Sequence, residues 1–274
     1  MVLLTGTELA EAIKKTVTAT IVAEKLKLSL AVILIGHEPA SEKYVSIKEK
    51  ACQKAGIGFS LYRFTPEESQ TKVISLIRRL NKDNKTTGII VQLPLPDGFV
   101  PNELLEAIDP GKDVDGLNSV NLGRLIKGIE GIFPATPEGT INLLRYYQIP
   151  LSGKKVAVIG QSNLVGKPLA QMLLNEEATV MIANDKTKKL RELTLGSDII
   201  ISAAGSPGLI KASMVPEGAV VIDIGTTLVG SKIVGDVDFD RVSKKAGFLT
   251  PSPGGIGPMT VAMLLSNLLK ASKL

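Results

Sequence analysis

Short, unbroken runs of apolar residues recur along this chain and restrict its fold more than any other feature. Gly88-Ile89-Ile90-Val91 is one such run, and segments 30–35 and 199–204 are two others. Each run is too short to cross a bilayer, and the lack of polar alternation is typical of parallel strands covered on both faces. Because helical patterns separate these runs, the sequence predicts an α/β protein.

The predicted elements fall into two blocks. In the first, we predict helices over 7–25, 39–55 and 67–80 and strands over 30–35, 58–64 and 87–93. In the second, we predict strands over 155–159, 179–182, 198–202 and 219–224, a helix over 164–174 and a closing helix over 257–270. A stretch rich in proline, glycine and aspartate from 94 to 121 marks a candidate active-site loop, and Thr136-Pro137 predicts a helix N-cap. This order favours two α/β lobes with an active-site cleft between them.

Composition excludes several classes of protein. Hydrophobic residues make up 44% of the 274 residues and charged residues 22%, as in ordinary soluble proteins. Cys52 and His37 are the only cysteine and histidine, so we expect no disulfide, no metal site and a reducing cytoplasm. The first residues lack the pattern of a signal peptide. The net charge of +5 comes from scattered lysines, and no tryptophan is present, so we expect neither nucleic-acid nor membrane binding.

A strand followed by a glycine turn marks a candidate nucleotide site. The apolar run 156–159 ends at Gly160, and the turn through Gln161, Ser162 and Val165 leads to Gly166 at the start of a helix. A helix N-terminus in this position offers backbone N–H groups to a pyrophosphate. The spacing departs from G-x-G-x-x-G, so a plain turn with a packing glycine is an equal alternative.

Asp185 bears on the choice of cofactor. It follows the next predicted strand, near the place where an acidic residue binds the ribose hydroxyls of NAD. A carboxylate there repels a 2′-phosphate, whereas the nearby Lys186, Lys188 and Lys189 attract one. The residues alone leave NAD and NADP open.

Three further segments suit a flat, polar substrate. Tyr44 and Lys48 are four residues apart, on one face of a predicted helix, although such a pair is more often a solvated surface. Gln92, before Leu93 and Pro94, ends an apolar strand, where a plain hydrogen-bonded side chain is the alternative. Asp115 lies in a loop. Near the end of the chain, Pro253-Gly254-Gly255 belongs to a proline- and glycine-rich segment that we interpret as an ordered loop rather than a linker.

Together these motifs resemble the bifunctional methylenetetrahydrofolate dehydrogenase/methenyltetrahydrofolate cyclohydrolase family. The similarity rests on Tyr44-Val45-x-x-Lys48, Val91-Gln92-Leu93-Pro94-Leu95, Lys112-Asp113-Val114-Asp115-Gly116 and Pro251-x-Pro-Gly-Gly-Ile-Gly-Pro-Met-Thr260, in this order over nearly the whole chain. It implies a folate-binding catalytic domain over 1–120, completed by the helix at 257–274, and a Rossmann-type NAD(P)-binding domain over 135–250. It also implies oxidation of 5,10-methylenetetrahydrofolate, hydrolysis of the product to 10-formyltetrahydrofolate, and a homodimer.

The resemblance also implies roles for individual residues. Lys48 is the expected catalytic lysine, Gln92 its partner, Tyr44 the ring that stacks on folate, and Asp115 the acid that binds the pterin. The remaining expected substrate contacts are Leu93, Pro94, Pro253, Gly254 and Gly255. The expected cofactor contacts are Gly160, Gln161, Ser162, Val165, Gly166, Asp185 and Thr226.

Two departures from the family pattern bear on the cofactor. The family commonly has arginine where this chain has Gln161, and serine where it has Asp185, and both changes weaken 2′-phosphate binding. We still favour NADP because the resemblance is otherwise complete. The alternatives are a monofunctional NAD-dependent methylenetetrahydrofolate dehydrogenase, a non-catalytic nucleotide sensor, and a two-lobe dehydrogenase acting on another substrate such as shikimate.

Overall fold

The computed structural model describes residues 1–230 and 232–274. The chain divides into two compact units, each made of two segments. The large-sheet unit comprises Met1–Ala10 and Thr136–Thr260, and the small-sheet unit comprises Glu11–Ala135 and Val261–Leu274. No helix within the described residues is both long and apolar enough to span a membrane.

Helices and strands alternate through most of the chain. The first half contains β1 (Val2–Leu3), α1 (Thr7–Ala23), β2 (Ser29–Ile35), α2 (Pro39–Lys54), β3 (Gly58–Phe64), α3 (Gln70–Lys82), β4 (Gly88–Val91), α4 (Pro101–Glu106) and α5 (Ser119–Ile126). The second half contains α6 (Ala135–Tyr146), β5 (Lys155–Ile159), α7 (Gly166–Asn175), β6 (Thr179–Ala183), α8 (Leu190–Leu195), β7 (Ile199–Ser202), β8 (Val220–Asp223), β9 (Thr227–Val229), β10 (Lys232–Val234), α9 (Phe239–Val242), β11 (Phe248–Leu249) and α10 (Ile256–Ala271), with a short 3₁₀ turn at Ala212–Met214.

The small-sheet unit is built on three parallel strands in the order β3-β2-β4. Successive side chains of β2 point to opposite faces, so Leu30 and Val32 join one core and Ala31 and Ile33 join another. The first core also contains residues of α1, α2 and α10, and the second contains residues of α3 and α4. Burial on both faces explains why β2 is apolar from Leu30 to Ile35, as the sequence predicts.

The large sheet of the other unit has six strands in the order β1-β11-β8-β7-β5-β6, and every pairing within this sheet is parallel. The chain moves outward from β5 to β6 on one side and from β7 to β8 and β11 on the other. The carboxyl ends of β5 and β7 therefore form a topological switch point, where open α/β sheets bind ligands. The edge strand β1 brings the first residues of the chain into this unit, and the two-residue pattern Val2–Leu3 gave no signal for it.

Four sequence predictions need correction. Segment 94–121 is not a continuous loop, because it contains α4 and the start of α5. Both helices are short, and α5 begins where Asn118 Oδ1 accepts a hydrogen bond from Val120 N. The helix predicted from 67 starts at 70, after Ser69. Thr136 does not cap α6 but lies in its first turn, where its carbonyl accepts a hydrogen bond from Thr140 Oγ1. Strands β9 and β10 and helices α8 and α9 are not predicted either, since none of these four elements has more than six residues.

Asn267 of α10 ties this helix to two segments of the small-sheet unit. Its buried Nδ2 donates to the carbonyls of Val114 (3.0 Å) and Phe133 (2.8 Å). We expect Asn267→Ala to lower the free energy of unfolding by ~2–4 kcal/mol, because the buried Val114 carbonyl and the partly buried Phe133 carbonyl each lose a donor. Urea unfolding would measure this loss. Asn102→Ala, at an exposed position in α4, is the matched control; equal stability of the two variants would contradict the assigned role.

Candidate functional site

Lys48 and Gln92 meet in the small-sheet unit. Lys48 lies on α2, which starts with Pro39 behind a cap from the Glu38 carboxylate. Gln92 continues β4 by donating its backbone N–H to the carbonyl of Ile33 (2.9 Å). Lys48 Nζ donates to Gln92 Oε1 (3.1 Å), and Gln92 Nε2 donates to the carbonyl of Leu93 (2.8 Å). The buried amide therefore presents its oxygen to the ammonium group without adding a charge.

Tyr44 lies one turn before Lys48 on α2, and its side chain is 38% exposed. An aromatic face and an amine thus share one side of the helix. Leu93 is half-buried and Pro94 is exposed, directly after Gln92. These side chains can contact a flat ring and transfer a proton to or from a group beside it.

Asp115 follows a segment that is docked on β4. Ile89 N donates to the carbonyl of Lys112 (2.8 Å), and Ile89 and Asp113 form a parallel bridge. After this bridge the chain turns, with Gly116 N donating to the carbonyl of Asp113 (3.1 Å), and Asp115 lies half-buried in that turn. A half-buried carboxylate in this position can accept hydrogen bonds from a ligand.

Asp113 was not predicted as a site residue, yet it holds the turn that carries Asp115. Its buried carboxylate accepts hydrogen bonds from Asn118 N (2.7 Å) and Asn121 Nδ2 (3.1 Å), both through Oδ2. Its carbonyl accepts from Gly116 N (3.1 Å). Burial, and then the charge of Asp115, raises the pKa of Asp113 to about 6, although these hydrogen bonds lower it. The one sequence signal was the Asp-x-Asp spacing, which does not tell the buried acid from the half-buried one.

The raised pKa of Asp113 predicts a pH-dependent stability. The folded protein binds this proton more tightly than the unfolded chain, whose reference pKa is 3.8. The stabilising contribution is therefore complete below that value and is lost as the pH rises through about 6. From about pH 4 to about pH 7, we expect wild type to lose up to ~3 kcal/mol of unfolding free energy relative to Asp113→Asn. Urea titrations of both proteins at several pH values measure this, and a constant difference would contradict it.

The glycine turn after β5 is closely packed in the large-sheet unit. Gly160 has φ +112°, a region that favours glycine, and a Cβ at Gly166 would overlap the Gly160 carbonyl. Ser162 closes the turn: its Oγ accepts from Val165 N (3.2 Å) and its carbonyl from Lys167 N (3.1 Å). The N-terminus of α7 therefore stands at the carboxyl end of β5. Backbone N–H groups and a helix dipole in this place fit a dinucleotide pyrophosphate.

The other expected cofactor residues are accessible in the same unit. Gln161 is exposed in the turn, and Thr226 is exposed between β8 and β9. Asp185 is exposed after β6 and pairs with Lys186 (Oδ2 to Nζ, 2.8 Å). The negative charge of Asp185 and the positive charge of Lys186 thus partly cancel at the place where a 2′-hydroxyl or 2′-phosphate would lie.

The proline- and glycine-rich segment is ordered, as predicted. Gly254 accepts a hydrogen bond from Gly6 N (2.9 Å), and Gly255 N donates to the carbonyl of Pro251 (2.9 Å). Pro253 is exposed, Gly254 is half-buried and Gly255 is buried. These residues belong to the large-sheet unit, whereas Tyr44, Lys48, Gln92 and Asp115 belong to the small-sheet unit.

Two residues with reactive side chains, Cys52 and His37, are not part of this group of residues. Cys52 is fully buried, and burial raises the pKa of its thiol to about 12, so it is a packing residue. His37 lies on the surface, with its Nδ1 3.5 Å from Glu42 Oε1.

Two family descriptions match the chain. Residues 4–115 match the catalytic domain of tetrahydrofolate dehydrogenase/cyclohydrolase, and residues 134–274 match its NAD(P)-binding domain. A curated relative from Aliarcobacter butzleri, bifunctional protein FolD, is 47% identical over 100% of this chain and 97% of its own length.

Solved structures agree. The FolD methylenetetrahydrofolate dehydrogenase/cyclohydrolase of Campylobacter jejuni is 46% identical, with a TM-score of 0.96 over 100% of this chain and 99% of its own. The Trypanosoma brucei FolD, solved with NADP and an inhibitor, is 36% identical, with a TM-score of 0.96 over 100% of this chain and 97% of its own.

Proposed function

From the premise that this chain belongs to the tetrahydrofolate dehydrogenase/cyclohydrolase family, we propose how its residues carry the two reactions. The chain is an enzyme of one-carbon folate metabolism. It oxidises 5,10-methylenetetrahydrofolate to 5,10-methenyltetrahydrofolate and hydrolyses that product to 10-formyltetrahydrofolate. The observation that carries the assignment of residues is the hydrogen bond from Lys48 to Gln92, because only the hydrolytic step needs such a pair.

The oxidation depends on orientation. A nicotinamide cofactor, when bound, would supply the acceptor for the hydride of the methylene carbon. The residues of the chain position the folate. Tyr44 stacks on the folate, and Asp115 accepts hydrogen bonds from the pterin amino and ring N–H groups. Leu93 and Pro94 line the folate site. Pro253, Gly254 and Gly255 complete the proposed substrate contacts. Holding both reactants in line supplies much of the rate enhancement for such a step.

The hydrolysis needs a proton relay. A water oxygen bonds to the methenyl carbon and loses one proton, which gives a neutral carbinol. The bond from that carbon to N5 then breaks, the carbinol oxygen forms the formyl C=O by releasing its second proton to solvent, and N5 gains a proton. Lys48 takes the proton from the water as an amine and returns one to N5 as an ammonium group. Gln92 holds Nζ in position for both transfers, and its neutral amide leaves the lysine free to change charge.

Replacing Lys48 separates the two activities. In Lys48→Met we expect cyclohydrolase turnover to fall by about 100-fold or more, because the relay is lost. We expect dehydrogenase turnover to stay within about tenfold of wild type, since hydride transfer needs no general base. Decay of the methenyl chromophore follows the first activity, and its formation with cofactor follows the second.

Lys50→Met, at an exposed position two residues along α2, is the matched control and should keep both activities. Substantial cyclohydrolase turnover in Lys48→Met would remove this lysine from the mechanism.

We propose NADP as the cofactor. Gly160, Ser162, Val165 and Gly166 form a turn whose packing suits a pyrophosphate at the α7 N-terminus. The proposed nicotinamide-side contact is Thr226. Lys186 pairs with Asp185 and so offsets the negative charge that would repel a 2′-phosphate, which supports NADP despite Gln161. The same Asp185 favours the alternative, a monofunctional NAD-dependent dehydrogenase. That alternative gives the Lys48–Gln92 pair no function, because oxidation alone does not need it.

Asp185 should limit the NADP preference. We expect Asp185→Ser to raise kcat/KM for NADP about fivefold, because removing one carboxylate relieves ~1 kcal/mol of repulsion from the 2′-phosphate. NAD should gain nothing. Asp240→Ser, which removes an exposed carboxylate elsewhere in the same unit, is the control. If the wild-type protein prefers NAD by about tenfold in kcat/KM, ~1.4 kcal/mol, NADP is the wrong assignment.

The proposal includes a homodimer, which the family resemblance implies. Sedimentation equilibrium distinguishes this state from a monomer.

A further inference from the structure

Asp236 lies between β10 and α9 with its side chain completely buried. Its carboxylate accepts four hydrogen bonds, one from Ser202 at the end of β7 and three from the segment that follows. Oδ2 accepts from Ser202 Oγ (2.8 Å), Ala204 N (2.8 Å) and Gly205 N (3.2 Å), and Oδ1 accepts from Ser206 N (2.7 Å). One side chain therefore fixes three backbone N–H groups of a single loop, which we call the β7 loop (203–206).

The β7 loop forms one wall of the switch point between β5 and β7. The other wall is the glycine turn. The two are in direct contact, because a Cβ on Gly160 would overlap the carbonyl oxygen of Ala203. Ala203 N also donates to the carbonyl of Ile159 (2.7 Å), the last residue of β5. A shift of the β7 loop therefore moves the surface on which the glycine turn packs.

A second buried carboxylate supports Asp236. Asp223, at the end of β8, accepts hydrogen bonds from Asp236 N (2.9 Å), Val237 N (3.0 Å) and Gly225 N (3.0 Å). Burial, and to a smaller extent the charge of Asp236, raises the pKa of Asp223 to about 6, although these hydrogen bonds lower it. Two acids placed so close together are costly to bury, and backbone N–H groups offset that cost here.

The same network reaches Thr226. The preceding residue, Gly225, bonds to Asp223, and the following residue, Thr227, donates through Oγ1 to the carbonyl of Gly205 (3.2 Å). Thr226 is thus held from both sides by residues bonded to the carboxylate pair or to the β7 loop.

We propose that Asp236 is a positioning residue for the nicotinamide cofactor: it holds the β7 loop against the glycine turn and so sets the cofactor site at the switch point. This inference rests on the proposed dehydrogenase function. Asp236 does not touch the cofactor in this proposal. Its contribution is to fix the shape of the surface that the cofactor contacts. A carboxylate can accept all four hydrogen bonds, whereas an amide cannot, because an amide nitrogen accepts no hydrogen bond.

The test compares Asp236→Asn with wild type in both activities. We expect KM for NADP to rise about tenfold or more, and the NADP dissociation constant from calorimetry to rise in parallel, equivalent to ~1.4 kcal/mol. Cyclohydrolase turnover of methenyltetrahydrofolate, measured without cofactor, should stay within about twofold of wild type. A merely structural role would lower both activities together, through loss of folded protein.

Two further variants keep the test decisive. Ser202→Ala removes one of the four hydrogen bonds and should raise KM for NADP to a smaller extent, even if Asp236→Asn fails to fold. Asp240→Asn, which removes an exposed charge on α9, should change neither activity. Unchanged NADP affinity in folded Asp236→Asn or in Ser202→Ala would overturn the positioning role. A wild-type protein that neither binds NADP nor oxidises methylenetetrahydrofolate would instead overturn the proposed function.

Discussion

Burial of parallel strands on both faces is the constraint on which this structure depends. β2 sends Leu30 and Val32 into one core and Ala31 and Ile33 into the other, so neither face of its sheet has room for polar chemistry. Polar side chains that could contact a ligand are therefore found at the ends of the strands and in the loops that follow. Gln92 comes directly after β4, and Gly160 directly after β5. Both parts of the proposed site therefore lie at carboxyl ends of parallel strands, as expected for open α/β sheets.

Much of this architecture is predictable from the sequence, because the period of the apolar residues carries it. β3 and β5 have the predicted bounds, and most long helices begin or end within a few residues of the prediction. The short elements fail for the same reason: α4, α8 and α9 have too few residues to establish a helical period. β1 and β11 contain two residues each and exist because they pair with neighbours, which no local pattern reveals.

The residues of the candidate site also divide into those that the sequence predicts and those that it does not. Tyr44, Lys48 and Gln92 stand out because each is a polar or aromatic residue in an otherwise apolar or helical context. Asp113 and Asp236 do not, because an acid in a loop is ordinary unless its burial is known. Burial, and the backbone N–H groups that satisfy a buried carboxylate, are properties of the folded chain. Sequence reasoning finds the groups that meet the ligand more readily than those that hold these groups in place.

The edge strand β1 has a consequence for any attempt to study the large-sheet unit by itself. A fragment cut at Thr136 and Thr260 lacks Met1–Ala10, although Val2 N donates to the Gly247 carbonyl (2.7 Å) and Leu4 N to that of Leu249 (2.8 Å). Its β11 would present unpaired backbone groups to solvent, and such a border recruits strands from other molecules. A soluble fragment therefore needs the first ten residues in the same polypeptide, which a circularly permuted chain would provide.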